Sequence, residues 1–139
     1  MPPTRFGYMS SSSDAAVYVP GACNIGSAEV ATRRNAAVAS TAATVALGAL
    51  VFATGAPREV RLLVGIPAAG TVVAWLQVRN RFCVAYAARG VFNVSERLGA
   101  ASRVEDRAAR ATDRRRAARM IVPAAAVGLA TAVVLYLLP

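Results

Sequence analysis

The stretch MIVPAAAVGLATAVVLYLLP, Met120–Pro139, decides the fold class. It carries no charge and shows no polar stripe, so no face of a helix built from it is suited to water. At about 1.5 Å per residue, a helix of this length reaches about 30 Å, the thickness of a bilayer's hydrocarbon core. Two further runs read the same way. Asn35–Pro57 is uncharged around the apolar segment Ala36–Thr54, and Leu62–Val78 is bounded by Arg61 and Arg79. A chain of 139 residues is too short to hide three all-round apolar helices inside a soluble core. The pattern predicts an all-α integral membrane protein with three transmembrane helices, about 36–54, 62–78 and 120–138, plus a basic cytoplasmic helix.

Composition agrees. The chain is 56% hydrophobic and only 17% charged, against about 45–50% and about 25% in soluble domains. It has 16 basic and 7 acidic residues, and every basic residue is Arg. With no His there is no Ser-His-Asp or Cys-His catalytic arrangement and no imidazole ligand for a metal or haem. With no Lys there is no Schiff-base or P-loop lysine. Two cysteines are too few for an iron–sulfur cluster, which takes about four thiolates.

The arginines predict the orientation. Fourteen of the 16 fall either before the first span or between the second and third. The positive-inside rule places those segments in the cytoplasm and the C-terminus outside, in the inner (plasma) membrane. The first 30 residues hold no apolar run suited to a cleaved signal peptide. Residues 1–17 read as a disordered tail, 18–35 as a cytoplasmic segment and 36–139 as the membrane domain, with a cytoplasmic loop and helix at 79–119. Ser27 is expected to cap a short surface helix. Gly90 is expected to break the segment after the second span, and Ser95 to cap a helix running to Arg119. Arg103–Asp106, Asp106–Arg110, Arg110–Asp113 and Asp113–Arg116 have the spacing of helical ion pairs.

Small residues recur every four positions: Ser40, Thr44 and Gly48; Gly65 and Ala69; Ala124, Gly128 and Ala132. Such rows let helix backbones approach closely in lipid. Pro67 and Pro123 are candidates for kinks. Trp75 and Tyr136 suit the aromatic belts. No Asp, Glu or Arg lies inside a span, which argues against an ion or proton pathway. Arg114, Arg115, Arg116 and Arg119 are placed to contact anionic lipid headgroups, and nucleic acid is not an expected partner.

Cys23 and Cys83 fall on the same predicted side, each near a span. Packed small residues, a thiol redox pair, a metal site and lipid modification all fit two such cysteines. Arg81 and Arg89 would stabilise a thiolate, and Glu29, Asn24 and Asn93 are the nearest further ligands by type. No cofactor is expected beyond a metal at Cys23 and Cys83.

Val19-Pro20-Gly21-Ala22-Cys23-Asn24-Ile25-Gly26, followed by Glu29 and Arg33-Arg34, resembles small prokaryotic membrane proteins with a Pro-Gly-x-Cys-Asn-Ile-Gly signature. Phe82-Cys83 and Arg89-Gly90-Val91-Phe92-Asn93 resemble a second block found in that group after its second hydrophobic segment. The resemblance implies no activity. It marks Cys23, Asn24, Gly26, Glu29, Cys83, Arg89 and Asn93 as a motif or ligand site. The function expected is that of a non-enzymatic accessory or scaffold subunit of a larger membrane assembly, with a membrane-protein partner or a second copy beside it. The alternative is a thiol redox or metal-binding protein.

Overall fold

A computed structural model describes residues 16–139. Most of the tail expected to be disordered, 1–17, therefore lies outside the described residues. The chain is mainly helical. Three of its helical segments are long and apolar enough to cross a membrane: Ser27–Ala53, Arg58–Asn80 and Arg107–Leu137.

Helix α1 spans Ser27–Ala53 without a break. The short surface helix expected at Ser27 and the first apolar run are thus one rod, with Gly26 rather than Ser27 at the N-cap. No Gly or Pro interrupts the sequence before Gly48. Thr32, Thr41 and Thr44 turn their hydroxyls back onto carbonyls one turn earlier, so they place no unpaired donor on the helix surface. The second segment starts with α2 (Arg58–Arg61), tightens through a 3-10 turn at Leu62–Val64, and continues as α3 (Gly65–Asn80). Pro67 follows that turn directly, where a missing backbone donor is accommodated.

Helix α4 covers Val84–Arg89 and stops at Gly90, whose φ of +67° is left-handed, as its place in the sequence predicts. Two short strands follow: β1 (Val91–Phe92) pairs antiparallel with β2 (Ser102–Arg103), Val91 facing Arg103. The helix expected from Ser95 does not form there. Ser95 gives its N–H and hydroxyl to the Asn93 side chain (3.2 and 2.7 Å), and Gly99 sits at a φ of +74°. The cap is Asp106 instead, accepting from the N–H groups of Ala108 and Ala109 at 3.1 and 3.0 Å. Helix α5 then runs unbroken over Arg107–Leu137, 31 residues, with Pro123 inside it. The basic helix and the third apolar run are therefore a single rod of about 46 Å, longer than a hydrocarbon core.

The expected ion pairs around Asp106 and Asp113 do not form. Asp106 is spent on capping. Asp113 is fully buried and accepts from the Tyr18 hydroxyl (2.8 Å) and the Gly21 N–H (2.7 Å). Arg110 turns instead to the carbonyls of Val104 and Glu105.

Helix α3 packs against both α1 and α5, which meet each other little. The α3–α5 crossing uses the small-residue rows. A Cβ added at Gly65 would lie 2.5 Å from the Gly128 carbonyl oxygen, and one at Gly128 would lie 2.6 Å from that of Gly65. Only glycine at both positions allows this approach, and Ala124 and Ala132 are buried beside it. The α1–α3 contact is polar. Thr71 shares hydrogen bonds with Ser40 (2.8 Å) and Thr44 (3.0 Å), and Trp75 donates its indole N–H to Thr41. Gly48 has nothing within 4 Å of an added Cβ, so the first row meets α3 only over part of its length.

The two ends of this layer are tied differently. At one end Arg61 stacks on Phe52 and donates to the carbonyls of Ala56 and Leu138. At the other, the segment before α1 meets the chain between α3 and α5. The N-terminal segment and the long second connection thus share one end of the layer.

Candidate functional site

That second end holds the sequence blocks singled out above. Residues 19–23 form a tight turn: the Val19 N–H donates to Cys23 O, and those of Ala22 and Cys23 donate back to Val19 O. Gly21 supplies the left-handed position, with a φ of +70°. The turn delivers Asn24 to the residues that end α3. Arg81, at a φ of +49°, turns the chain there, and its carbonyl accepts from the Asn24 N–H at 3.2 Å.

Asn24 then acts as a clasp. Its Oδ1 accepts from the Cys83 N–H (2.6 Å), and its Nδ2 donates to the Cys83 carbonyl (3.0 Å). The amide side chain substitutes for a strand partner. One residue on, Ile25 bridges Asn93 in parallel: the Asn93 N–H donates to Asn24 O at 2.9 Å and the Gly26 N–H to Asn93 O at 2.8 Å. Gly26 is sterically required here, since an added Cβ would lie 2.7 Å from the carbonyl oxygens of both Val94 and Ser95.

Glu29, in the first turn of α1, is buried next to this clasp. One carboxylate oxygen, Oε1, accepts from the Tyr86 hydroxyl (2.8 Å), the Asn93 amide (3.1 Å) and the Gly99 N–H (3.1 Å). Arg33, four residues further along α1, stands 4.0 Å from the other oxygen. Burial pushes the Glu29 carboxyl up. The hydrogen bonds from Gly99, Tyr86 and Asn93 and the Arg33 charge outweigh it and hold the group below its ordinary 4.5. Tyr86 is pushed up by burial, and then by its hydrogen bond to Glu29 and that residue's charge. Tyr18 shifts upward through burial and its bond to Asp113. Its ring stacks on Phe92 with centroids 4.4 Å apart, so Asp113 and Phe92 together hold the segment before the clasp.

The structure thus gathers Asn24, Gly26, Glu29, Cys83 and Asn93 into one hydrogen-bonded unit, with Cys23 in the turn leading into it. Arg89 lies at its edge, its guanidinium 5.4 Å from the centre of the Tyr86 ring. Both cysteines are free. Cys83 is fully buried against Ile25 and Tyr86, and the Cys23 thiol points to the Ile25 carbonyl at 3.6 Å. Among the described residues, no group of three or more Cys, Asp or Glu converges as metal ligands. Of the side chains put forward as further ligands, Asn24 is bonded to the Cys83 backbone, and Glu29 and Asn93 are bonded to each other, with Glu29 also engaged by Tyr86 and Gly99. Arg114, Arg115 and Arg119 are exposed on α5, while Arg116 is half-buried and donates to Asn80 Oδ1.

Sequence reasoning missed Tyr86, Tyr18 and Asp113. Nothing in its spacing sets the α4 tyrosine apart from the aromatic residues around it. Asp113, set among arginines, read as their surface partner. The only cue to its burial is the run Ala109, Asp113, Ala117, which shares one helix face with Met120.

No family model matches this chain, and neither does any curated protein or solved structure.

Proposed function

We propose that this chain is a small multi-pass membrane protein without catalytic activity, an accessory or scaffold subunit of a larger membrane assembly. Its N-terminus, clasp and Arg-rich connection face the cytoplasm, and its C-terminus faces outside. The observation that carries this reading is the fate of the motif residues. Asn24 spends its side chain on the Cys83 backbone, and Glu29 and Asn93 spend theirs on each other, on Tyr86 and on backbone, fixing a cap. What the cap leaves open is an arginine surface suited to anionic headgroups. The open layer of three helices supports the same role. Between α3 and α5 it leaves an apolar groove of about 390 Å³, floored by Gly65, Ala69 and Gly128 and flanked by Ile66 and Leu129. A neighbouring transmembrane helix fits such a groove.

The thiol or metal alternative draws on the closeness of the two cysteine segments, joined through Asn24. The burial of Cys83 favours a packing role over it.

One preparation separates the two. Extracted in mild detergent under reducing conditions, the protein is expected to migrate inside a larger complex of defined stoichiometry. It should be colourless and metal-free, and Cys23→Ser should leave the complex intact. A monomer carrying stoichiometric metal or a chromophore, lost in both Cys23→Ser and Cys83→Ser, would replace this reading with the alternative.

A further inference from the structure

Beside the clasp, but outside it, lies a polar groove of about 410 Å³ lined by Arg89, Gly90, Arg103, Glu105, Arg110 and Arg114. Four guanidinium groups share it with one carboxylate. Among the described residues, no carboxylate oxygen lies within 4.0 Å of any of the four. Like charges gathered this way repel, and an oxyanion relieves the repulsion with charge-assisted hydrogen bonds.

Two of the four arginine side chains are held in place, and a third is set by its backbone. Arg89 stacks on Tyr86, whose hydroxyl is fixed by Glu29. Arg103 sits in β2, paired with Val91. Arg110 crosses over Gly90 and donates to Val104 O at 2.6 Å. Gly90 makes that crossing possible, because an added Cβ there would lie 2.7 Å from Arg110 Cδ. The order of the Arg89 and Arg110 side chains exists before any ligand arrives, which lowers the entropy lost on binding. Arg89 and Arg114 belong to different sequence blocks, and only the fold brings them to one groove with Arg103 and Arg110.

We propose that this groove binds a phosphate group. The site rests on the groove's own geometry. Only the source of the phosphate, a lipid headgroup or a soluble phosphate compound, rests on the membrane reading above. Arg114 and Arg110 precede Met120 by six and ten residues, or about 9 and 15 Å along α5. The headgroup layer adds only about 5–8 Å beyond the hydrocarbon on each side. The groove therefore opens at or beyond the headgroups, within reach of soluble phosphates and of headgroups that project from the surface.

The test is calorimetric titration of the full chain in phosphatidylcholine nanodiscs with inorganic pyrophosphate. Wild type should bind, and Arg103→Gln/Arg114→Gln should bind about tenfold more weakly or worse. Arg34→Gln/Arg79→Gln removes the same charge from exposed positions elsewhere and should stay within about twofold of wild type. That result supports a soluble phosphate. If pyrophosphate does not bind, but phosphatidylglycerol is retained through purification by wild type and the control and lost from the groove variant, the phosphate belongs to a lipid. The proposal is overturned if neither ligand binds, or if both double variants weaken binding equally. Should the double variant lose its helical circular dichroism, Arg114→Gln alone gives the same comparison. If the protein proves soluble without detergent, the titration runs in plain buffer, so a failed membrane reading is distinguishable from a failed site.

Discussion

Glu29→Ala is expected to release the cap at a cost of about 3–5 kcal/mol, the range for removing one partner from a buried charged cluster. The alanine leaves the Tyr86 hydroxyl, the Asn93 amide and the Gly99 N–H without their acceptor. Each buried orphan costs about 1–3 kcal/mol, partly relieved where water enters. Chemical unfolding of the detergent-solubilised protein reads the loss. Limited proteolysis should show cleavage within 93–101 before any cut in α1. The carboxylate also gives a pH signature. Its folded-state value lies below the ordinary 4.5, so its stabilisation is complete above that value and is lost as the pH falls through the folded value. Wild type should weaken on acidification below about 4.5, and Glu29→Gln should lose that part of the dependence. An equal acid response in both would show that Glu29 is not the group responsible. At the alkaline end the sign reverses. Tyr86 is held above its ordinary 10, so its contribution fades only as the pH rises past that value.

Gly128→Leu is expected to part α3 from α5. A leucine must displace the Gly65 carbonyl and Ala69, which an added Cβ alone would approach to 2.6 and 2.7 Å. Overpacking of this kind costs about 1–3 kcal/mol and more when backbone blocks the way. We expect at least about 3 kcal/mol here, because the obstacle is the facing helix itself. Gly48→Leu is the internal control. Nothing lies within 4 Å of an added Cβ there, so its effect should stay within about 0.5 kcal/mol. Unfolding midpoints of the two variants, measured side by side in one detergent, make the comparison. Equal effects would mean that the Gly65–Gly128 crossing does not hold the helices together.

Parts of this architecture are legible without coordinates because they depend on neighbours in sequence. Uncharged runs of helix length announce three apolar helices, and Gly90 announces its turn. The small-residue rows anticipate the α3–α5 crossing. Other parts depend on partners far along the chain. Asp113 reads as a surface pair for Arg110 or Arg116. It is claimed instead by Tyr18 and Gly21, more than 90 residues away. Ser95 has the chemistry of a cap, but Asn93 engages it first, and Asn93 is placed there by Gly26 and Glu29. The motif residues stand out in the sequence, but their purpose does not. The same Asn and Glu that suggest a ligand site stand in for backbone partners where three segments meet, and Cys83 packs against Ile25 and Tyr86. The arginine groove is the reverse case: Arg89, Arg103, Arg110 and Arg114 belong to different patterns in the sequence, and only the fold brings them to one groove.

The most direct test of the account is the side of the membrane on which each connection lies. In a Cys23→Ser/Cys83→Ala background, single cysteines replace the exposed residues Glu59, at the start of the second helical segment, and Ser102, in the Arg-rich connection. A membrane-impermeant thiol reagent applied to intact cells should label Glu59→Cys, and should reach Ser102→Cys only after the membrane is opened. Labelling of Ser102→Cys in intact cells, or recovery of the chain in the soluble fraction, would contradict the account.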